Sequence, residues 1–124
     1  MTQPLALVYY RKAMPGSQLV NRLRDLEYRI QTVNEPAGLE ACAQTEGPML
    51  IFADLADREQ ADTLKVITKL RANAATRHIP IVAFGAEDDA LQQAAQTAGA
   101  TMAVGETALL AHLPGLLEQA LRVE

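Results

Sequence analysis

One carboxylate, Asp54, closes the apolar run Met49-Leu50-Ile51-Phe52-Ala53. An acid placed directly after unbroken apolar residues marks the carboxyl end of a strand buried on both faces. In open α/β sheets that edge is where ligands bind, so the surroundings of Asp54 are the first place to look for function. Its plainest role is to cap a loop or to pair with Arg11 or Lys12. The other reactive side chains are scattered. His78 and His112 lie in separate segments with no cysteine or acid at metal-ligand spacing, so no metal site is expected. Cys42 sits among alanines beside Leu39, as a small buried residue does, and a lone cysteine forms no internal disulfide. Neither a G-x-G-x-x-G nor a P-loop spacing is present. Met14-Pro15-Gly16-Ser17 opens a helix whose amides could hold an anion. Asp57, Arg58, Glu59 and Asp62 read as a solvated loop and helix start, with Asp62 as a cap.

The elements that position these residues alternate along the chain. Leu5 to Tyr10 reads as a first, central strand. Ser17 is the expected cap of a helix carrying Leu19, Val20, Leu23 and Leu26 at helical spacing. Tyr28 to Val33 reads as a more polar strand near an edge. A turn from Asn34 to Gly38 leads to a short helix over Leu39 to Ala43, ending before Gly47. After the Asp54 strand, Leu64, Val66, Ile67 and Leu70 mark a third helix. Ile81 to Phe84 is a fourth buried strand, followed by Gly85-Ala86. Asp88 or Asp89 caps a helix with Leu91, Ala94, Ala95 and Ala98, and Gly99 fits the position just past its end. Thr101 to Val104 is the fifth strand. A last helix holds Leu113, Leu116, Leu117, Ala120 and Leu121, and because Pro114 is tolerable only in a first turn it begins near Ala111 or His112. Five strands alternating with five helices through short connections, with right-handed crossovers, make a parallel sheet covered on both faces.

The totals agree with one such domain, residues 1–124. The chain has 124 residues, 49% of them hydrophobic and only 4% aromatic, which fits an aliphatic core. A net charge of -4 argues against general nucleic-acid binding. No apolar run approaches the roughly 20 residues of a membrane span, and the amino terminus lacks the pattern of a secretory signal. These features point to a cytoplasmic protein. Basic residues gather in the first part of the chain and acidic ones in the last, which reads as solvated helix faces or as two docking surfaces of opposite sign.

With this order of elements, the phrases Leu50-Ile51-Phe52-Ala53-Asp54-Leu55, His78-Ile79-Pro80-Ile81-Val82-Ala83-Phe84 and Ala98-Gly99-Ala100 give a chain that resembles, over its whole length, the receiver domain of bacterial two-component response regulators, the CheY-like superfamily. The resemblance implies a (βα)5 flavodoxin-like, doubly wound parallel sheet with strand order 2-1-3-4-5. It also implies that Asp54 is the equivalent of the phosphoacceptor aspartate. Receivers hold a divalent cation with an acidic pair at the end of the first strand, whereas this chain has Tyr9-Tyr10 there, and a phenol with its usual pKa of about 10 is a poor magnesium ligand. The Thr or Ser that ends the fourth strand of receivers is Gly85, although the small residue after it is kept as Ala86. The lysine after the fifth strand is Glu106, with Gly105 or Thr107 as the candidates one register away. Thr107 replaces the proline that follows the lysine, so the family's cis peptide is not expected.

Of the receiver set only Asp54 survives, and losing metal ligands, hydroxyl and cation together removes the electrostatic stabilisation that phosphoryl transfer needs. The expectation is therefore a degenerate, or pseudo-, receiver: a stand-alone, non-catalytic module, without cofactor, that binds a protein partner such as a sensor kinase or another signalling protein, with a homodimer left open. Gln92, Gln93 and Gln96 on the fourth helix, with Val104, Leu109 and Leu110, are the expected docking face; alternatively Leu109 and Leu110 pack under the last helix. Two competing readings are an active phosphoacceptor using Mg2+ at Asp54, and a flavodoxin-like domain binding a flavin or another small molecule at Met14 to Ser17.

Overall fold

A computed structural model of the chain describes residues 4–10, 13–55, 60–86 and 88–122. Its five strands are β1 (Leu5–Tyr9), β2 (Arg29–Val33), β3 (Leu50–Asp54), β4 (Ile81–Phe84) and β5 (Met102–Val104). They form one parallel sheet in the order β2-β1-β3-β4-β5. The helices are α1 (Ala13–Asp25), α2 (Pro36–Glu46), α3 (Gln60–Ala72), α4 (Asp89–Ala98), α5 (Glu106–Ala111) and α6 (Leu113–Arg122). None of them among the described residues is long and apolar enough to cross a membrane.

Side chains on a strand alternate between faces with a period of two, and here both faces are covered. Leu7, Tyr9, Ile51, Ala53, Ile81 and Ala83 share one buried cluster with Leu39 of α2, Val66, Ile67 and Leu70 of α3, and Ala95 of α4. Ala6, Val8, Leu50, Phe52, Val82 and Phe84 share the other with Leu19 and Leu23 of α1, Leu109 of α5, and Leu113 and Leu117 of α6. This double burial is why β1, β3 and β4 lack polar alternation. Each fully buried aliphatic side chain of this kind contributes about 2 kcal/mol. β2, at the edge, has only half-buried and exposed residues, as its more polar sequence implies. β5, the other edge, is only 3 residues long, which limits the backbone left unpaired.

Helix ends follow local chemistry. Asp88 caps α4, its Oδ1 accepting from the Leu91 amide at 2.7 Å. Gly99 follows α4 with φ +126°. Thr76 Oγ1 donates to the Leu70 carbonyl at 2.7 Å, covering the end of α3 inside the protein.

Several expectations are corrected. α1 begins at Ala13, so Ser17 lies within the helix and does not cap it; Pro15 in the first turn is compatible with that earlier start. α2 begins at Pro36, which initiates a helix without needing its missing amide, so Gly38 is helical. Met49 is outside β3 and 50% exposed. The last helix, α6, begins at Leu113 with Pro114 in its first turn, within a residue of its expected start, but a further short helix, α5, precedes it and was not expected. Asp62 lies in the first turn of α3 and does not precede it.

Candidate functional site at the carboxyl edge of the sheet

The register brings the predicted site residues to one edge. Tyr9 stands opposite Ala53, Asp54 opposite Phe84, and Phe84 opposite Val104. The ladder then continues beyond the strands. The Tyr10 amide donates to the Val33 carbonyl at 3.3 Å, the Leu55 amide to Phe84 at 2.8 Å, and the Ala86 amide to Val104 at 3.2 Å. Tyr10, Asp54, Gly85 and the Gly105-Glu106 step thus end neighbouring strands, in the order a ligand-binding edge would use.

Several described residues of this edge are nonetheless buried. Asp54 is 1% exposed and engaged by its surroundings. Tyr9, Leu55 and Ala86 are each 0% exposed and belong to the same core cluster as Ile51 and Ile81. The alternation of the strands sets Asp54 on the opposite face, with Phe52, where half-buried Tyr10 packs against the α1/α6 cluster. At the end of β1, Tyr9 extends the hydrophobic core.

Gly85 is buried and adopts φ +78°. That is the left-handed region, which side chains of L-residues oppose and β-branched ones oppose most. Glu106 is the first residue of α5, two residues past β5, and its side chain lies outside the described residues; Thr107 is exposed in the same helix. The pairing of Asp54 with Arg11 or Lys12 and the charged stretch Asp57-Arg58-Glu59 also fall outside the described residues.

A hard divalent cation such as magnesium needs several oxygen ligands in near-octahedral array. The described edge supplies one buried carboxylate, Asp54, and two phenols, Tyr9 inside the core and Tyr10 beside it. Among the described residues no group of three His, Cys, Asp or Glu could hold a metal ion. These residues do not fit the cation. His78 and His112 are exposed and in different segments, and Cys42 is half-buried and packed against the core. The segment Met14 to Ser17 is part of α1 and is not a loop before that helix.

Of the expected docking residues, Gln93 and Gln96 are exposed on α4, while Val104 and Leu110 are half-buried. Gln92 is half-buried and its Nε2 donates to the Ala86 carbonyl at 2.8 Å. Leu109 is 0% exposed in the α1/α6 core and drops out of the face. Two recesses were not apparent from the sequence. Tyr10, Thr32, Val33 and Asn34 line one of about 340 Å³ beside the edge. Pro4, Arg29, Pro48, Met49 and Pro80 line another of about 440 Å³ at the opposite, amino end of the sheet, away from Asp54. Both join segments distant in sequence, so no local motif announces them.

No protein-family model matches the chain, and no curated protein does. Solved structures do match. A structure assigned to the response regulators, from Chloroflexus aurantiacus, superposes with a TM-score of 0.88 at 16% identity, covering 98% of this chain and 100% of the other. The receiver domain of a sensor histidine kinase from Pseudomonas aeruginosa, with a magnesium ion in its active-site cleft, superposes with a TM-score of 0.86 at 19% identity over 98% of this chain and 100% of its own. Chemotaxis protein CheY4 of Vibrio cholerae gives 0.82 at 17% identity over 96% and 99%. The chain has the fold of response-regulator receiver domains, in the strand order expected of it.

Proposed function

We propose that this chain is a receiver-fold signalling module that works by binding a protein partner and no longer accepts a phosphoryl group. The observation that carries the reading is the burial of Asp54, 1% exposed, together with the tyrosines at the end of β1: Tyr9 is a core residue on one face and Tyr10 packs on the face that carries Asp54. Phosphoryl transfer is catalysed by positioning and charge stabilisation around an accessible, in-line nucleophile. A buried carboxylate with phenols in place of metal-binding acids has neither the access nor the counter-charge. The left-handed Gly85 supports the same reading, because its backbone disfavours the hydroxyl-bearing residue of receivers. The partner, a sensor kinase or another signalling protein, docks on the outer side of α4 and β5, where Gln93 and Gln96 are exposed and Val104 is half-buried.

Asp54 keeps the place of the phosphoacceptor at the end of β3, so an active site of unusual composition is the second reading. Intact mass after incubation with acetyl phosphate and magnesium separates the two. The expected result is no adduct on folded wild type or on Asp54→Ala. A phosphoryl adduct on wild type that disappears in Asp54→Ala would establish the second reading instead.

A further inference from the structure

Prolines shape the amino end of the sheet. Pro4 precedes β1, Pro48 stands two residues before β3 and Pro80 precedes β4, so three neighbouring strands are entered through residues without an amide. The backbone beside them is used within the fold. The Pro4 carbonyl accepts from the Arg29 amide at 2.8 Å, the Pro80 carbonyl from Ile51 at 3.0 Å, and the Leu5 carbonyl from Met49 at 2.9 Å. Gly47, left-handed at φ +58°, turns the chain out of α2, after which Pro48 is buried and Met49 is 50% exposed. Met49 is the more exposed of the two large apolar side chains that the described residues leave in water. It stands at the recess of about 440 Å³ that the three prolines help to line. A lone exposed apolar residue is ordinary. Here the exposed side chain adjoins an apolar recess, a knob beside a hole.

The same recess is lined by one cation and one anion that are both exposed, Arg29 at the start of β2 and Glu46 at the end of α2. A carboxylate in that place faces the negative end of the helix dipole, and the last turn of α2 holds no basic residue to offset it. A cation brought from outside would. Arg29 is already engaged within the fold, and a guanidinium has five donors to share. A patch with one knob, one hole and one charge of each sign is self-complementary: a twofold axis between Arg29 and Glu46 carries each onto its opposite. We infer that the amino end of the sheet is a homodimer interface, in which Met49 seats in the partner copy's recess and Arg29 pairs with the partner's Glu46. The patch is small beside the roughly 20–30 residues a side of a standard interface, so the dimer is weak and reversible, with a Kd on the order of 10–100 μM. It lies at the end of the sheet opposite Asp54 and does not rest on the phosphoryl reading.

Sedimentation equilibrium of the full chain at low salt, from about 1 μM to about 1 mM, tests it. The weight-average mass is expected to climb from monomer toward dimer over that range. Arg29→Glu alone and Glu46→Arg alone are each expected to weaken association about tenfold or more, because each sets like charges against one another. An equimolar mixture of the two variants is expected to regain the wild-type association, since in the mixed dimer the two altered charges meet each other and the two native ones do the same. A pairing within one chain gives no such recovery on mixing. Met49→Ser, at an exposed position, is expected to weaken association about tenfold through the lost knob. Should Arg29→Glu fail to fold, Glu46→Arg and Met49→Ser carry the same decision. A wild type that stays monomeric throughout, variants that associate as tightly as wild type, or weakening that persists in the mixture overturns the interface. A phosphoryl adduct on Asp54 would overturn the functional reading and leave this outcome unaffected.

Discussion

On the proposed reading, Gly85→Thr places at the end of β4 the hydroxyl expected of a receiver, and the backbone opposes it. At φ +78° a side chain costs about 1–2 kcal/mol, with a β-branched one at the upper end. Gly85 is buried, so a hydroxyl that finds no partner adds about 1–3 kcal/mol. The stiffer unfolded chain offsets about 0.4–1 kcal/mol. The expected net loss is about 2–4 kcal/mol. With a urea slope of about 2 kcal/mol per molar, the midpoint falls by about 1–2 M. Two other glycines serve as controls. Gly115 in α6 has nothing within 4 Å of a built Cβ and no left-handed φ, so Gly115→Ala should gain about 0.5–1 kcal/mol. Gly47 has the same open space but φ +58°, so Gly47→Ala should lose about 1 kcal/mol through the backbone alone. Urea unfolding of the three variants separates backbone strain from crowding. A Gly85→Thr midpoint at or above wild type would mean that the edge accommodates the hydroxyl, and the backbone would no longer explain its loss.

Two further outcomes follow from the region after α1. Glu27 is exposed, has φ +68°, and sits where the Tyr28 amide returns to the Leu23 carbonyl at 3.0 Å, the closing bond of a left-handed helix end. Glu27→Gly should therefore raise stability by about 0.5–1 kcal/mol in urea unfolding while Glu27→Ala should not, and equal effects from both would refute the strain. Burial raises the Tyr28 phenol pKa above its ordinary value of 10.0. Since the folded pKa exceeds the unfolded one, the phenol's contribution is intact below the unfolded value and is lost as pH rises through the folded value. Stability measured across the alkaline range should fall less steeply in Tyr28→Phe than in wild type, and identical slopes would count against the burial effect.

Strand identity was legible because burial on both faces leaves its mark within each strand: Leu5 to Tyr9 and Leu50 to Ala53 have no polar position to mislead. Asp88 and Gly99 were legible because caps act within one turn. The failures share a cause in distance. Leu109 and Leu110 are adjacent apolar residues in a six-residue helix, too short for periodicity to tell inside from outside. Packing on α1 decides that Leu109 is core, and Arg22 Nη1 reaches the Leu110 carbonyl at 3.3 Å from the same helix. Ser17 looked like a cap because its chemistry is right, yet Pro15 two residues earlier already suits a first helical turn. The burial of Asp54 was not legible, because a strand-end residue's exposure is set by segments distant from it in sequence. Nor was the conformation of Gly85, since a glycine letter does not distinguish open space from left-handed need.

The departures at the edge are physically consistent with one another. Carboxylates gathered around a phosphoacceptor repel, and a metal and a lysine must offset them. On the proposed reading, Tyr9, a core residue, stands where a receiver has an acid, which leaves less negative charge for a lysine to balance. Glu106 then stands as the first residue of α5. Gly85, freed from holding a hydroxyl toward the phosphoryl group, adopts a turn that a threonine resists. Restoring any one of these residues alone therefore meets a surrounding built for its absence. For that reason single reversions at Tyr9, Gly85 or Glu106 are expected to leave acetyl-phosphate labelling at background, and labelling restored by one reversion would show that the edge is still a receiver site with one part missing.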